Sequence, residues 1–408
     1  MFISPGTRVA AAFLLGTFLG IHAGRAVTFE IADPIEFSRI IDTNAVLTTN
    51  ATINTWLEGP VWIPSGQFLV FCDQNNNRLR KLVPPNTVTD YLLPPANTLF
   101  NGCLLDAQER LIGAEAGSGG QRISILTNPV AVTTSSVALG LITNYNGWKF
   151  YSPNDVAVKS DGTIWFTDPG YNSGVTKPRA GYPPSYWVFQ FHPTNANATC
   201  RAVMTNDFGR TSGTPRPNGL CFSPDETKLY IADSDNTTGG HRIYVYSVTS
   251  SNTLTGGAVF ANVNNGVPDG IKCDADGRVW SSAGNGVHIF APDGHLIGRI
   301  LFLRTANLCW GGPQYKTLYM TGQPLVTSLP VLVAGTPTLK TLESKFTGNE
   351  LILSWPAPST GFGLQETSEP TQSVSWTNSP LPVIITNDQN QVSVAPTNHT
   401  QFFRLRLN

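Results

Sequence analysis

Along most of this chain apolar and polar positions alternate with period two, in short runs broken by Gly, Pro, Asp and Asn. That is the pattern of half-buried strands joined by tight turns. In SPNDVAVKSDGTIWFTDPGY, residues 152–171, one run carries Val156 and Val158, a turn follows at Asp161-Gly162, and a second run, Ile164-Trp165-Phe166, stops at Asp168-Pro169. Alternation, an Asp-Gly turn and a second strand predict a β-hairpin. The same hairpin recurs. Its second strand begins near Phe68 in PSGQFLVFCD, Leu111 in DAQERLIGAE, Ile164, Leu229 in PDETKLYIAD, Val279 in DADGRVWSSA and Leu318 in PQYKTLYMTG. The copies are about 40 to 65 residues apart, as loop insertions between equivalent four-stranded units would make them.

Strands throughout, no convincing amphipathic helix and a repeat of this length predict an all-β fold, a six-bladed β-propeller over 27–338. Such a unit cannot bury both of its faces alone, so stacking around an axis has to supply the core. Residues 27–55 are expected to give a leading strand and loop that close the ring against the last blade. From Thr341 onward the strand signals are separate: ELILSW, GFGLQETS, VSWTN, PVIIT, NQVSVA and FFRLRL. They predict a small C-terminal β-sandwich-like domain over 339–408, an accessory module with no acid pair or ligand cluster and no partner that can be named.

Composition narrows the partners. With 408 residues, 13% of them charged, and a net charge of −1, the chain has no Lys/Arg cluster to bind phosphate. Nucleic acid and anionic membrane are therefore excluded as partners. Residues 1–26 read as a signal peptide: Arg8 supplies the positive region, Val9 to Ile21 an apolar run too short to span a bilayer, and Gly24 and Ala26 the small residues of a cleavage site. The expected product is secreted or periplasmic, with no membrane span. Six cysteines follow: Cys72, Cys103, Cys200, Cys221, Cys273 and Cys309. An oxidising compartment permits a disulfide among them. Cys103, Cys221 and Cys273 lie in apolar inner-strand contexts that suit buried free thiols. No histidine has a metal-like spacing, no GxSxG occurs, and the Gly-rich loop AGSGGQR (116–122) lacks the GK[ST] of a phosphate cradle.

The candidate chemistry is positional. Four repeats open with an oxygen-bearing residue beside Pro or Gly: Glu58 in EGPVW, Asn154 in SPNDV, Asn218 in RPNGL and Asp269 in VPDGI. Each alone is an ordinary turn residue. At equivalent starts of inner strands they converge on the axis, where two carboxylates and two amide oxygens form a hard-oxygen site. Ca²⁺ suits that set, as do Mg²⁺, Mn²⁺ or a catalytic Zn²⁺ with more water. The adjacent Pro and Gly are expected to turn the backbone tightly and leave room near an ion.

EGPVW, SPNDVAV with IWFTDPGY, RPNGLCFSPDETKLYIADS and GVPDGIKCDADGRVWSSAGNGVHIFAPDG closely resemble the gluconolactonase/regucalcin family of six-bladed propellers, over roughly residues 55 to 325. The resemblance implies one divalent cation in the channel and hydrolysis of sugar lactones. By motif its ligands would be Glu58, Asn154, Asn218 and Asp269, with Asp269 also the proton donor and acceptor. Beside a cation Asp269 is expected to titrate low. Asn101, Glu115, Arg122, Asp168 and Tyr171 are candidate substrate contacts, and a turn-forming role for Asp168 is equally open. The resemblance is incomplete at the pocket mouth: Ala116 follows Glu115 where such proteins often carry His and Arg, and Tyr151 stands where an Asn often precedes SPND. Two other readings stay open: another ester or phosphotriester hydrolase on the same cation, and a secreted binding propeller that cleaves nothing.

Overall fold

A computed structural model describes residues 25–408, except 172–186, 206, 210–212, 214, 238–239, 313, 337–341, 349, 357–361, 370–375, 387–388, 396–399 and 408. The leader stretch 1–24 lies outside the described residues. The chain is all-β, as expected. Antiparallel sheets are built from consecutive strands, and the second strand of each begins within one residue of the position predicted: Phe68–Asp73, Leu111–Glu115, Ile164–Asp168, Lys228–Asp233, Val279–Ala283 and Thr317–Thr321.

The first strands of these sheets are Leu57–Ile63, Phe100–Leu105, Val156–Val158, Pro217–Phe222, Ile271–Cys273 and Asn307–Gly311. Each contacts the first strand of the next sheet, and the last contacts the first, so the series closes on itself. Between neighbouring sheets lie apolar clusters. Leu79, Phe100 and Leu126 fill the gap between the first and second sheets. Phe150, Phe166 and Phe189 fill the next, and Trp165, Leu229 and Tyr244 the one after. Trp280, Trp310 and Met320 join the fifth sheet to the sixth. The core is thus divided among the seams, which is where a sheet with two apolar faces must place it.

Closure uses the N-terminal segment. The last sheet takes only three strands from the end of the repeat region; its fourth is Val46–Thr52, which pairs with Leu325–Pro330. Arg25–Ala26 adds to Val46–Thr52, and Thr28–Ile31 extends the fifth sheet at Leu296–Leu301. The leading segment also holds a helix that periodicity did not predict, Pro34–Ile40. Asp33 caps it by accepting from Ile35 N and Glu36 N at 3.0 and 3.1 Å, and Pro34 presets its first turn. Phe37 and Ile40 are buried against the fifth and sixth sheets, and Glu36 pairs with Arg278 at 3.1 Å. Seven residues carry only two buried apolar positions, too few for a 3.6 period to register.

The C-terminal strands make two sheets. Glu343–Thr347, Glu350–Pro356, Gln389–Val394 and Ile384–Thr386 form one; Thr377–Asn378, Phe362–Thr367 and Phe402–Leu407 form the other. Leu353, Trp355, Leu364 and Val392 are shared between them as one small core.

At the inner end of the sheets the backbones almost touch. A Cβ on Gly59 would lie 1.9 Å from Asn101 O, on Gly102 2.3 Å from Asp155 Oδ1, on Gly219 2.3 Å from Asp269 O, and on Gly270 2.1 Å from Asn307. The space these glycines leave is therefore filled by the next sheet, not kept open near an ion as the sequence suggested. Gly102→Ala is expected to lower unfolding stability by more than about 2 kcal/mol, since backbone has to move to admit the methyl. Gly147→Ala, where nothing lies within 4 Å, should cost no more than about 1 kcal/mol at its positive φ. Urea unfolding of the two variants checks the contrast.

Candidate functional site at the ring of strand starts

Glu58, Asn101 and Asn218, the polar residues before three of those glycines, sit at strand irregularities. The pairing register slips between Glu58 and Val61, between Phe100 and Cys103, and between Pro217 and Leu220. A bulge adds a residue to one strand and re-aims its side chain, so the alternation that buries the rest of the strand is broken at the ring. Hydrogen bonds then run from sheet to sheet: Gly102 N to Asn154 O at 2.6 Å, Thr167 Oγ1 to Asn218 O at 2.7 Å, Gly219 N to Asp269 O at 3.1 Å, Gly270 N to Ala306 O at 2.8 Å, and Asn307 Nδ2 to Glu58 Oε2 at 3.3 Å. Glu58, Asn101, Asn154, Asn218 and Asp269 thereby occupy equivalent positions of one ring, which Ala306 completes, and Asn307 reaches Glu58 from the next position along. Of these polar residues all but Asp269 are buried, with 3 to 6% exposure, and Asp269 is half-buried.

The carboxylates interact. Burial, then the charge of Asp269, pushes the Glu58 carboxyl well above its ordinary value. Glu58 accepts only long hydrogen bonds, from Trp56 Nε1 at 3.3 Å, Gly59 N at 3.2 Å and Asn307 Nδ2. Burial likewise raises Asp269 from 3.8 to about 7, against the lowering effects of the Arg304 charge and a hydrogen bond from Asn218. The expectation that Asp269 titrates low counted on a cation's charge; among the protein's own groups, desolvation outweighs the available positive charge. Two enclosed carboxyls that repel each other, flanked by amide oxygens, fit a divalent cation as the group that would relieve them. Among the described residues no cluster of three or more His, Cys, Asp and Glu forms a metal site, so an ion here depends on the asparagines.

The other candidates fall into two groups. Asn101 is in the ring. Tyr171, 40% exposed, holds its hydroxyl 3.5 Å from Asn218 Nδ2, with the Arg216 guanidinium 5.6 Å from its ring centroid. Glu115 and Arg122 pair with each other across adjacent strands at 2.7 Å, and Arg122 also donates to Ala138 O. Asp168 accepts from Tyr151 N at 2.7 Å and Ser152 N at 2.5 Å, holding the turn that leads into Asn154. Asp233 does the same for Arg216 N, and Ser282 Oγ accepts from Asp269 N, so a polar residue at or next to the end of the second strand orients the approach to the first. Trp310 is core, edge-on to Trp280. Sequence reasoning passed over Asn307, which stands one place later, at the position of Asp155 and the ring glycines, and reaches Glu58 from there. It also passed over Trp56 and Arg304, stacked at 4.5 Å beside the carboxylates. All six cysteines are free thiols, with Cys72 and Cys103 Sγ 3.7 Å apart.

Residues 56–323 match the family described as the SMP-30/gluconolactonase/LRE-like region. The chain is 32% identical over 281 residues to a gluconolactonase of Zymomonas mobilis, covering 64% of this chain and 74% of that protein. It superposes on a gluconolactonase structure from Xanthomonas campestris with a TM-score of 0.63 at 29% identity, over 76% of this chain and 99% of the other. A calcium-binding protein, regucalcin, from Agrobacterium tumefaciens shares the fold with a TM-score of 0.52 at 18% identity, over 71% and 93% of the two chains.

The raised carboxyls set a pH dependence. The unfolded chain releases the Asp269 proton near 3.8 and the folded chain keeps it to about 7, so between these values the folded state binds more protons. Stability then falls as pH rises across that window, and the loss is complete above about 7. In protein dialysed free of divalent ions, the melting temperature is expected to drop from pH 4 to pH 7, and Asp269→Asn should flatten the drop. A pH series of thermal melts checks both slopes.

Proposed function

The chain belongs to the SMP-30/gluconolactonase/LRE-like family, and from that premise we propose that it is a hydrolase that opens sugar lactones with one divalent cation held at the ring. The observation that carries this reading is the juxtaposition of Glu58 and Asp269, enclosed carboxyls from two sheets, with Asn218 bonded to Asp269 and Asn154 tied into the same ring. In the proposal Glu58, Asn154, Asn218 and Asp269 hold the ion, Ca²⁺ above the other divalent metals. When bound, that ion supplies Lewis acidity toward the lactone carbonyl and toward water.

The chain's own residues do the rest. Asp269 accepts the proton released from the attacking water and returns it to the ring oxygen as the ester bond breaks. Asn218 orients Asp269 and fixes which oxygen faces the substrate. Tyr171, bonded to Asn218 and partly exposed, gives the sugar hydroxyls a partner at the mouth, and Asn101 offers an amide from the ring. Glu115, Arg122 and Asp168 act one step back, through the loops they hold. The sheets are read as the blades of a six-bladed propeller, residues 339–408 as an accessory β domain, and residues 1–26 as a signal peptide that sends the protein out of the cytoplasm.

A pH-indicator assay on aldonolactones, with the bound metal measured in parallel, tests the proposal. Ca²⁺-loaded protein is expected to turn over an aldonolactone, and metal-stripped protein to lose the activity and regain it on adding the ion. Asp269→Asn should lower kcat by about 10²- to 10⁴-fold in protein that still carries the ion. Loaded wild type that hydrolyses neither lactones nor simple esters or phosphotriesters would be a binding protein instead.

A further inference from the structure

One charged pair at the ring plays no part in the reaction just described. Lys272 is the middle residue of Ile271–Cys273, the first strand of the fifth sheet, and Asp155 directly precedes Val156–Val158, the first strand of the third. The Lys272 Nζ lies 3.3 Å from Asp155 Oδ2, with side-chain exposures of 13% and 2%. The third and fifth sheets are not neighbours, since the fourth stands between them. The bond therefore crosses the interior of the ring. It joins no seam, and a buried ion pair by itself is a weak source of stability.

Its position suggests another role. Asp155 Oδ1 accepts from Val156 N at 2.8 Å and lies where a side chain on Gly102 would collide, next to Asn101 and hence to Gly59 and Glu58. The Asp155 charge reaches both Glu58 and Asp269, raising each. Away from the ring, Lys272 borders a cavity of about 130 Å³ lined by Val61, Leu104, Leu220 and Cys309 and also by the carboxylates Asp106, Glu109 and Glu226. At the ring three carboxylates, Glu58, Asp155 and Asp269, thus face one enclosed space. Arg304 stands beside Asp269, and Lys272 is the cation paired with Asp155.

We propose that Lys272 is a positioning residue for the cation site: by neutralising Asp155 it sets how strongly the ring attracts a divalent ion. This rests on the reading that the ring binds such an ion. Removing the ammonium leaves an excess negative charge that tightens ion binding and loosens the ion-free protein. Removing the Asp155 carboxylate leaves an excess positive charge that weakens ion binding.

Calorimetric titration of ion-free full-length protein with CaCl₂ at low ionic strength tests this, with thermal melts in chelator alongside. Lys272→Met is expected to lower the Ca²⁺ Kd by about tenfold and to reduce the melting temperature of the ion-free protein more than that of the loaded protein. Asp155→Asn is expected to raise Kd by a similar factor, and the double variant to return within about threefold of wild type. If Lys272→Met does not fold without Ca²⁺ but folds with it, the proposal is supported, and Asp155→Asn still reads the opposite sign. Kd unchanged in both single variants, or shifted the same way in both, overturns it. A wild-type protein that binds no Ca²⁺, Zn²⁺, Mg²⁺ or Mn²⁺ overturns the ion reading itself, and this proposal with it.

Discussion

The structure depends on how closely the inner strands approach one another. At Gly59, Gly102, Gly219 and Gly270 the backbone of one sheet lies against the next with no space for a methyl group. That approach lets amides bond from sheet to sheet and draws the strand starts into one narrow ring. It also forces polar side chains that end those strands into a space they would not choose singly. The apolar clusters between the sheets provide the burial free energy that holds them there, at roughly 25 cal/mol per Å² of apolar surface removed from water.

Crowding turns residue type into chemistry. A carboxylate at the tip of an isolated hairpin would be hydrated and would titrate normally. Placed at the ring, Glu58 and Asp269 lose water and face each other, and both hold protons more tightly. The reactivity belongs to the enclosure as much as to the side chains. The supporting residues follow the same repeat logic: Asp168 and Asp233 end second strands, Ser282 stands one place before such an end, and each fixes a backbone amide at or just ahead of the ring.

The order of strands along the chain has a consequence for closure. The last sheet is completed by Val46–Thr52 from the opposite end of the repeat region, so the ring cannot close until nearly all of the chain is present. The pairing is non-covalent, and its neighbours Thr28–Ile31 and Pro34–Ile40 pack on the fifth and sixth sheets. The N-terminal segment is therefore a clasp, with Phe37 and Ile40 as its buried teeth and Glu36–Arg278 as a charged tie.

Alternation, turn residues and the spacing of hairpins were enough to determine the all-β class and to place the second strands at Phe68, Leu111, Ile164, Leu229, Val279 and Leu318, because strand periodicity and turn chemistry are local. The shared repeat position of Glu58, Asn154, Asn218 and Asp269 was legible for the same reason. Tertiary structure alone decided that Asn307 reaches Glu58 from one place further along, that Glu115 spends its charge on Arg122, and that Lys272 reaches across to Asp155. It also decided which way the Asp269 proton affinity moves. These depend on which distant segments meet and how much water they exclude, and neither is written in any window of neighbouring residues.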